Sequence, residues 1–458
     1  SSISASEMHR HPDRPTAPRN PSRGVALARG FSLAGLAAAF ILVFCGTWSG
    51  FPPDAHLSGA ERQVKVPRLT ARSWFDGIFV AAVEPWLARN LGWRGIGIRT
   101  ANLINTTIFR RPPGGANSTV LVGTDGWLFE KAYVRERTRR PAFKPGEAEA
   151  FAEELERLQQ LCHRRNMAFA VLIAPSKAEI YPEYLPAQYR NLPPEVAAQS
   201  NACQQLVAAL QETEGAYVDA RADFLAWKRE GVDLFPPGGT HWNHYGAQRA
   251  LDHVWQVLRG QPVSPALPRL PVTTGHCMRS PLGTDNDLVH LLNLWTAPKG
   301  GRRQVPFPLL EETPATNAVL RIAMAGDSFA FTLIDALART GIRGEVDFFF
   351  YCRHHYHERL TGVRREHAEP EDLGSIGFDA VVAHPRLAEA DVLLLVFNEI
   401  HTRQRGWGLP AALLETNKGV ASKPARGMGV PPMKHGQDAR ATYAGKGFCK
   451  GFNEEEKL

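Results

Sequence analysis

The sequence predicts a single α/β domain, from about residue 119 to 409, built on a mainly parallel sheet with helices on both faces. Two observations carry that expectation. Five short runs are apolar almost throughout: AFAVLIAP (168–175), AYVDA (216–220), VLRIAMAG (319–326), EVDFFFYC (345–352) and DVLLLVFNE (391–399). They have the length of strands and are too uniformly apolar to leave one face in water. Longer stretches with helical spacing of apolar residues lie between several of them, at 146–166, 194–214 and 243–260. Strands alternating with helices are the signature of parallel strands joined by crossover helices.

Ahead of the domain the chain changes character three times. Residues 1–29 are dense in Pro, Ser, Arg and His and should form a disordered cytoplasmic leader. Residues 30–52 carry no charge and match the ~20 residues that cross a bilayer core. Arg10, Arg14, Arg19, Arg23 and Arg29 precede this segment, while the next charges are Asp54 and Glu61. The basic end should therefore stay in the cytoplasm, with one pass through the inner membrane and the main domain in the periplasm. A cleaved signal peptide is the rival reading, but the leader is long and no small-x-small site follows the apolar run. Bulky Phe44 before Cys45 argues against a lipid anchor. Residues 53–118, with Trp74, Trp86 and Trp93 among short amphipathic runs, read as a helical stem ending in RRPPGGANS.

Behind the domain, residues 410–458 lack apolar periodicity and are rich in Gly, Ala, Pro and Lys, so they read as a disordered tail. The two ends also explain the charge. The formal +7 is made of +3 in residues 1–29 and +4 in residues 417–458, and the rest is neutral. That distribution gives no reason to expect a nucleic-acid partner. The six cysteines, Cys45, Cys162, Cys203, Cys277, Cys352 and Cys449, have no metal-like spacing. A Cys162–Cys203 bridge and buried free thiols both remain open.

The chemistry should sit where strand 319–326 ends. Gly326-Asp327-Ser328 forms the turn into the next helix, at the carboxyl end of a strand, where open α/β sheets bind ligands. Backbone N–H groups and the positive end of that helix would stabilise an oxyanion beside Ser328, with Gly326 and Asp327 shaping the turn. Gly-Asp-Ser by itself fits a helix cap equally well. A nucleophilic serine needs a base, and FPPGGTHWNHYGAQRALDHVW (235–255) offers His241 in a Gly-rich loop ahead of a helix capped by Asn243. His244 reads as a surface residue of that helix's first turn.

Six ordered pieces carry a resemblance: NLGWRGIGIRTANLIN, VLVGTDGWLFE, LIAPSKAEIYPEYLP, GGTHWNHYGA, LGTDNDL and MAGDSF. Between residues 71 and 404 the chain resembles the periplasmic alginate O-acetyltransferase proteins, whose fold is a three-layer α/β/α SGNH-hydrolase-like domain acting on exported polysaccharide. The resemblance implies that Ser328 is acetylated and passes the acetyl group to a sugar hydroxyl, with His241 as general base and then general acid. It also implies a multispanning membrane acyltransferase as partner and acetyl donor; the sequence shows no acetyl-CoA site and no bound cofactor. This chain departs from the family at one position, where Gly239 stands in place of the aspartate of Asp-Thr-His-Trp that orients the histidine. Asp233 and Asp219 are the candidate substitutes, and a backbone carbonyl is a third option.

Other residues invite chemical readings. Trp242, Tyr245 and Trp127 would serve as sugar platforms, and Lys177 as a contact to an anionic substrate, although a solvated loop lysine fits as well. Asp285 and Asp287 in LGTDNDL read as turn and cap residues that approach the site. CRHHYH, with His354, His355 and His357, reads as a polar loop after a strand and matches no zinc spacing, so no metal is expected. Two further functional classes use the same residues: a polysaccharide-binding or assembly subunit if Gly239 leaves His241 unanchored, and an acetyl esterase if water accepts the acyl group.

Overall fold

The computed structural model describes residues 118–263, 267–311, 319–362, 365–367 and 378–417, and ahead of them 55–59, 68–90, 92–109, 113 and parts of 34–49. The expected leader and the tail from residue 418 lie outside the described residues. So does part of the expected membrane span at 30–52. Among the described residues no helix is long and apolar enough to cross a membrane. The chain divides into two compact units, Ser1–Ala101 and Asn102–Leu458. The first contains the helices Ala71–Phe75 and Ile78–Asn90, on which Trp74, Phe75, Ile78 and Val80 are exposed.

The second unit begins earlier than expected, because Asn102 Nδ2 donates to the Leu292 carbonyl at 3.0 Å. Its main elements are β1 (Val120–Val122), β2 (Leu128–Glu130), α1 (Lys131–Arg139), α2 (Glu147–Arg164), β3 (Ala168–Ala174), α3 (Ala202–Gln211), β4 (Tyr217–Asp219), α4 (Ala220–Lys228), α5 (His244–Arg259), β5 (Thr273–Arg279), β6 (Val305–Leu310), β7 (Val319–Gly326), α6 (Phe329–Arg339), β8 (Arg343–Phe350), β9 (His354–Thr361), β10 (Arg365–His367), β11 (Val392–Asn398) and α7 (Leu409–Thr416). Seven strands form one sheet in the order β10-β9-β8-β7-β11-β3-β4. From β8 to β4 all neighbours are parallel, while β9 and β10 add an antiparallel edge. β1–β2 and β5–β6 are separate antiparallel pairs.

The alternation of side chains across a strand explains the uninterrupted apolar runs. In β3, Ala168, Ala170, Leu172 and Ala174 join a core with residues of α4, α5 and α6. Phe169, Val171 and Ile173, on the other face, join Phe151 and Leu155 of α2 and Leu206 of α3. Covering both faces requires both sets to be apolar. Leu409, Pro410 and Leu413 of α7 are also buried, so the packed chain extends to Thr416 and the tail expected from residue 410 starts later. Cys162, Cys203 and Cys352 are buried free thiols.

The expected polar loop CRHHYH is instead the start of strand β9. His355 Nε2 and His357 Nδ1 both meet Asp347 Oδ1 of β8, at 2.8 and 3.0 Å, which is why imidazoles sit at strand positions that face the sheet. The sheet also brings three strand ends together. β3 leads outward to β4 and β7 outward to β8, and β11 returns to lie between β3 and β7. Asn398, at the end of β11, donates through Nδ2 to Pro175 O at 3.0 Å and through its N–H to Asp327 Oδ2 at 2.6 Å.

Candidate active site

Gly326 ends β7 against the neighbouring strand, where a Cβ would lie 2.1 Å from Val396 O, so only glycine fits. The Asp327 N–H donates to that same carbonyl at 3.1 Å. Asp327 Oδ1 accepts the Phe329 N–H at 3.0 Å, while Oδ2 accepts from Asn398 N–H and from His401 Nδ1 at 2.7 Å. Asp327 therefore braces the turn and is not the oxyanion donor expected of it, its polar groups being engaged. The cap interaction belongs to Asp327, whereas the Ser328 side chain makes no cap bond. Ser328 Oγ lies 2.7 Å from His241 Nε2, across 87 positions of sequence. The cap reading of Ser328 fails for this reason.

The other ring nitrogen of His241 meets Asp287 Oδ2 at 2.7 Å. Asp287 Oδ1 accepts the Thr240 N–H, also at 2.7 Å, so one carboxylate fixes both the imidazole and the backbone beside it. Asp287 was expected to act as a turn residue, and it does open the short helix Asp287–Leu291. That position carries its carboxylate to the catalytic loop. Asp233 and Asp219 are not the orienting groups. Asp233 pairs with Arg303 at 3.2 Å and Asp219 caps α4 by accepting the Arg221 N–H at 3.0 Å. Gly239 is explained by crowding, since a Cβ there would lie 2.2 Å from Thr284 O. The segment that delivers Asp287 fills the space an aspartate at 239 would need.

Several expected substrate contacts are structural. Trp242 is fully buried, with ring centroids of Phe329 and Phe224 at 5.3 and 5.8 Å. Trp127 is equally buried and stacks on Tyr184 at 4.4 Å. Tyr245 is buried beside Arg249 and His276. None of the three is a sugar platform in this arrangement. His244, expected at the surface, packs against Phe307, and burial with Arg339 and Arg279 nearby pushes its pKa well down. Lys177 does not reach solvent either. Its Nζ donates to Pro236 O at 3.0 Å, Pro237 O at 3.4 Å and Gly239 O, with the Phe129 and Trp127 rings at 5.2 and 5.6 Å. Burial lowers its pKa to about 7, against the opposing charge of Asp287.

Burial alone would lower the His241 pKa. The hydrogen bond and charge of Asp287, with the charges of Asp327 and Glu130, outweigh it, so the ring is more basic than usual. Glu130, at the end of β2, has its pKa raised by burial, in opposition to His241, while the Thr240 hydroxyl lies 3.5 Å from its Oε2. Tyr351 follows β8 at φ 51° and is held by its N–H on Gly326 O at 2.8 Å. Its hydroxyl interacts with Ser328, and burial pushes its pKa up to about 12. Glu130, Tyr351 and His401 were not anticipated from the sequence. Tyr351 follows directly on the carboxyl end of β8 and His401 lies one short turn beyond that of β11, the signal that singled out Ser328.

A hydroxyl bonded to an imidazole whose far nitrogen is held by a carboxylate is built for acyl transfer. Ser328 stands at the positive end of the eleven-residue α6, a position that stabilises a developing oxyanion. Among the described residues no three His, Cys, Asp or Glu side chains gather as a metal site.

Residues 120–337 match the family model described as the SGNH hydrolase-like domain of acetyltransferase AlgX. Similar solved structures include the O-acetyltransferase domain of Pseudomonas putida AlgJ, at 16% identity and TM-score 0.38 over 64% of this chain and 99% of that one. Pseudomonas aeruginosa AlgX matches at 17% identity and TM-score 0.37 over 64% of this chain and 65% of that one. Bacillus cereus PatB1, solved with a sulfonyl adduct, matches at 11% identity and TM-score 0.36 over 62% and 97%. No curated protein sequence matches the chain.

Proposed function

We propose that this chain, whose residues 120–337 match the SGNH hydrolase-like domain of acetyltransferase AlgX, O-acetylates a polysaccharide through an acetyl-serine intermediate. The observation that carries the reading is the line Ser328–His241–Asp287, with 2.7 Å at each step. Ser328 Oγ attacks the acetyl carbonyl of the donor as His241 Nε2 takes its proton, and the departing donor group receives that proton. A sugar hydroxyl then attacks the acetyl-serine, its proton passing through His241 back to Ser328 Oγ. Asp287 holds Nδ1–H in place and stabilises the imidazolium formed in each half-reaction. The Ser328 N–H and the helix terminus bind the oxyanion.

The polysaccharide is one in export, and the acetyl group reaches Ser328 from a multispanning membrane acyltransferase. Residues 30–52 would anchor the chain in the inner membrane, with the catalytic unit in the periplasm; their uncharged length supports this. Incubating the protein with a chromogenic acetyl ester tests the reaction. A burst of leaving group that Ser328→Ala abolishes, followed by acetylated sugar when oligosaccharide is present, is the expected result. Release without sugar acetylation would make the protein an esterase, and no release would leave a binding role.

A further inference from the structure

The side chains first expected to hold sugar are buried, yet the mouth of the site has another aromatic wall. Tyr351, His401 and Trp407 come from two loops that follow strands β8 and β11. The Tyr351 ring meets His401 at 5.6 Å and Trp407 at 5.4 Å, both edge-on, and His401 meets Trp407 at 5.9 Å. All three are partly exposed, and the Tyr351 hydroxyl interacts with Ser328. His401 Nδ1 is committed to Asp327 Oδ2 at 2.7 Å, which places the proton on Nδ1 and leaves Nε2 as an acceptor. Of the two carboxylate-anchored imidazoles, His241 bonds to Ser328 and His401 bonds to the neighbouring Asp327, so the second has no part in activating the serine. The loop that carries His401 and Trp407 is held in an uncommon shape, with Arg405, Gly406, Trp407 and Gly408 in succession at φ 50°, 58°, 56° and 79°. Trp407 is kept at positive φ, partly packed against the core, with its ring against Tyr351, and local strain of this kind persists where a side chain must be aimed.

We propose that Tyr351, His401 and Trp407 form the acceptor subsite, where one sugar ring lies against the aromatic side chains and a hydroxyl beside the reacting one donates to His401 Nε2. This rests on the acetyl-transfer reading above and specifies its acceptor as a pyranose bearing vicinal hydroxyls. Aromatic rings offer C–H-rich sugar faces an apolar surface, and a fixed acceptor nitrogen selects an alcohol with a second hydroxyl over water. His401 is accordingly a binding residue for the second half-reaction, and formation of the acetyl-enzyme does not involve it.

The experiment uses the full chain, a chromogenic acetyl ester as donor, and two hexameric oligosaccharides as acceptors, one uronic-acid and one neutral. Trp407→Gly removes the ring and suits the positive φ; because the ring also packs against the core, a thermal melt and the burst confirm that the variant is folded. His401→Asn retains a donor toward Asp327 and loses the Nε2 acceptor, whereas His401→Gln retains a polar atom near Nε2 and loses the Asp327 bond. The expected result is an unchanged burst in Trp407→Gly; in the His401 variants, where the brace on Asp327 is also touched, the burst is measured as the reference against which sugar transfer is scored. KM for at least one acceptor rises about tenfold in Trp407→Gly, and the ratio of sugar acetylation to hydrolysis falls about tenfold in His401→Asn but less in His401→Gln. If His401 were only a strut on Asp327, Asn would be tolerated and Gln would be the damaging change, which would overturn the proposal. An unchanged KM in Trp407→Gly, or a burst that falls in step with transfer, would overturn it as well. A wild-type burst abolished by Ser328→Ala, alongside such a result, leaves the acetyl-serine chemistry standing and removes only the acceptor subsite.

Discussion

At the scale of single residues, the carboxylate that orients the histidine comes from a separate segment. Asp287 of LGTDNDL holds His241 Nδ1, and the close approach of Thr284 O excludes a side chain at 239. Asp287→Asn should lower turnover by about 10⁴ while leaving the fold intact, measured as the rate of ester cleavage. Gly239→Asp introduced into Asp287→Ala should not rescue activity and should lower the melting temperature, because its Cβ has no room. The pH dependence follows from the raised His241 pKa. The general base must be neutral, so ester cleavage should rise with pH around a midpoint above the ordinary ~6.5, and Asp287→Asn should move that midpoint down. The stability from protonated His241 against Asp287 is fully present below about 6.5 and is lost as pH rises through the higher folded value. Ser328 and His241 each fit a bland local role, and the resemblance carried by six ordered pieces is what marked them as nucleophile and base. Asp287 was not legible, because an aspartate opening a short helix after Asn286 has a sufficient local explanation.

At the scale of elements, the catalytic loop owes its shape to a side chain from another element. Lys177 supplies N–H donors to the carbonyls of Pro236, Pro237 and Gly239; Pro237 O also accepts the Leu128 N–H at 2.8 Å, so the lysine matters most for Pro236 O and Gly239 O. Each orphaned carbonyl costs about 1–3 kcal/mol. Lys177→Met keeps the aliphatic volume and should lower thermal stability and reduce kcat for ester cleavage by 10–100-fold with little change in KM. The lysine pKa of about 7 in the fold lies far below the ~10.4 of an unfolded chain, so this group makes stability rise with pH across that window. The Met variant should lose that slope in a pH series of thermal melts. A lysine after a strand looks solvated in sequence, and only the packing of Trp127 and Phe129 over it reveals otherwise. The same reason hid β9, whose histidines are polar until Asp347 of the adjacent strand is placed opposite them.

At the scale of the whole molecule, the helices cover both faces of the sheet, and α7 is part of that cover. Leu409 is fully buried among residues of α2, β11 and the strand ends. Leu409→Ala should destabilise the protein by about 2–5 kcal/mol, seen in denaturant unfolding, with the ester burst preserved at low temperature. The five central strands were legible because a doubly covered strand must be apolar at every position. The end of the domain was obscured by a helix of only eight residues running into a stretch without apolar pattern.

The sequence by itself determined the parallel sheet and its crossover helices, which follow from local periodicity. It placed a serine at a strand end and a histidine in a loop, and only the resemblance joined the two as nucleophile and base. The tertiary structure alone decided which aspartate holds the histidine, that Trp127, Trp242 and Tyr245 belong to the core, and that Lys177 is buried. Those outcomes depend on segments brought together from distant parts of the chain, where the space left by one side chain sets what its neighbour can do.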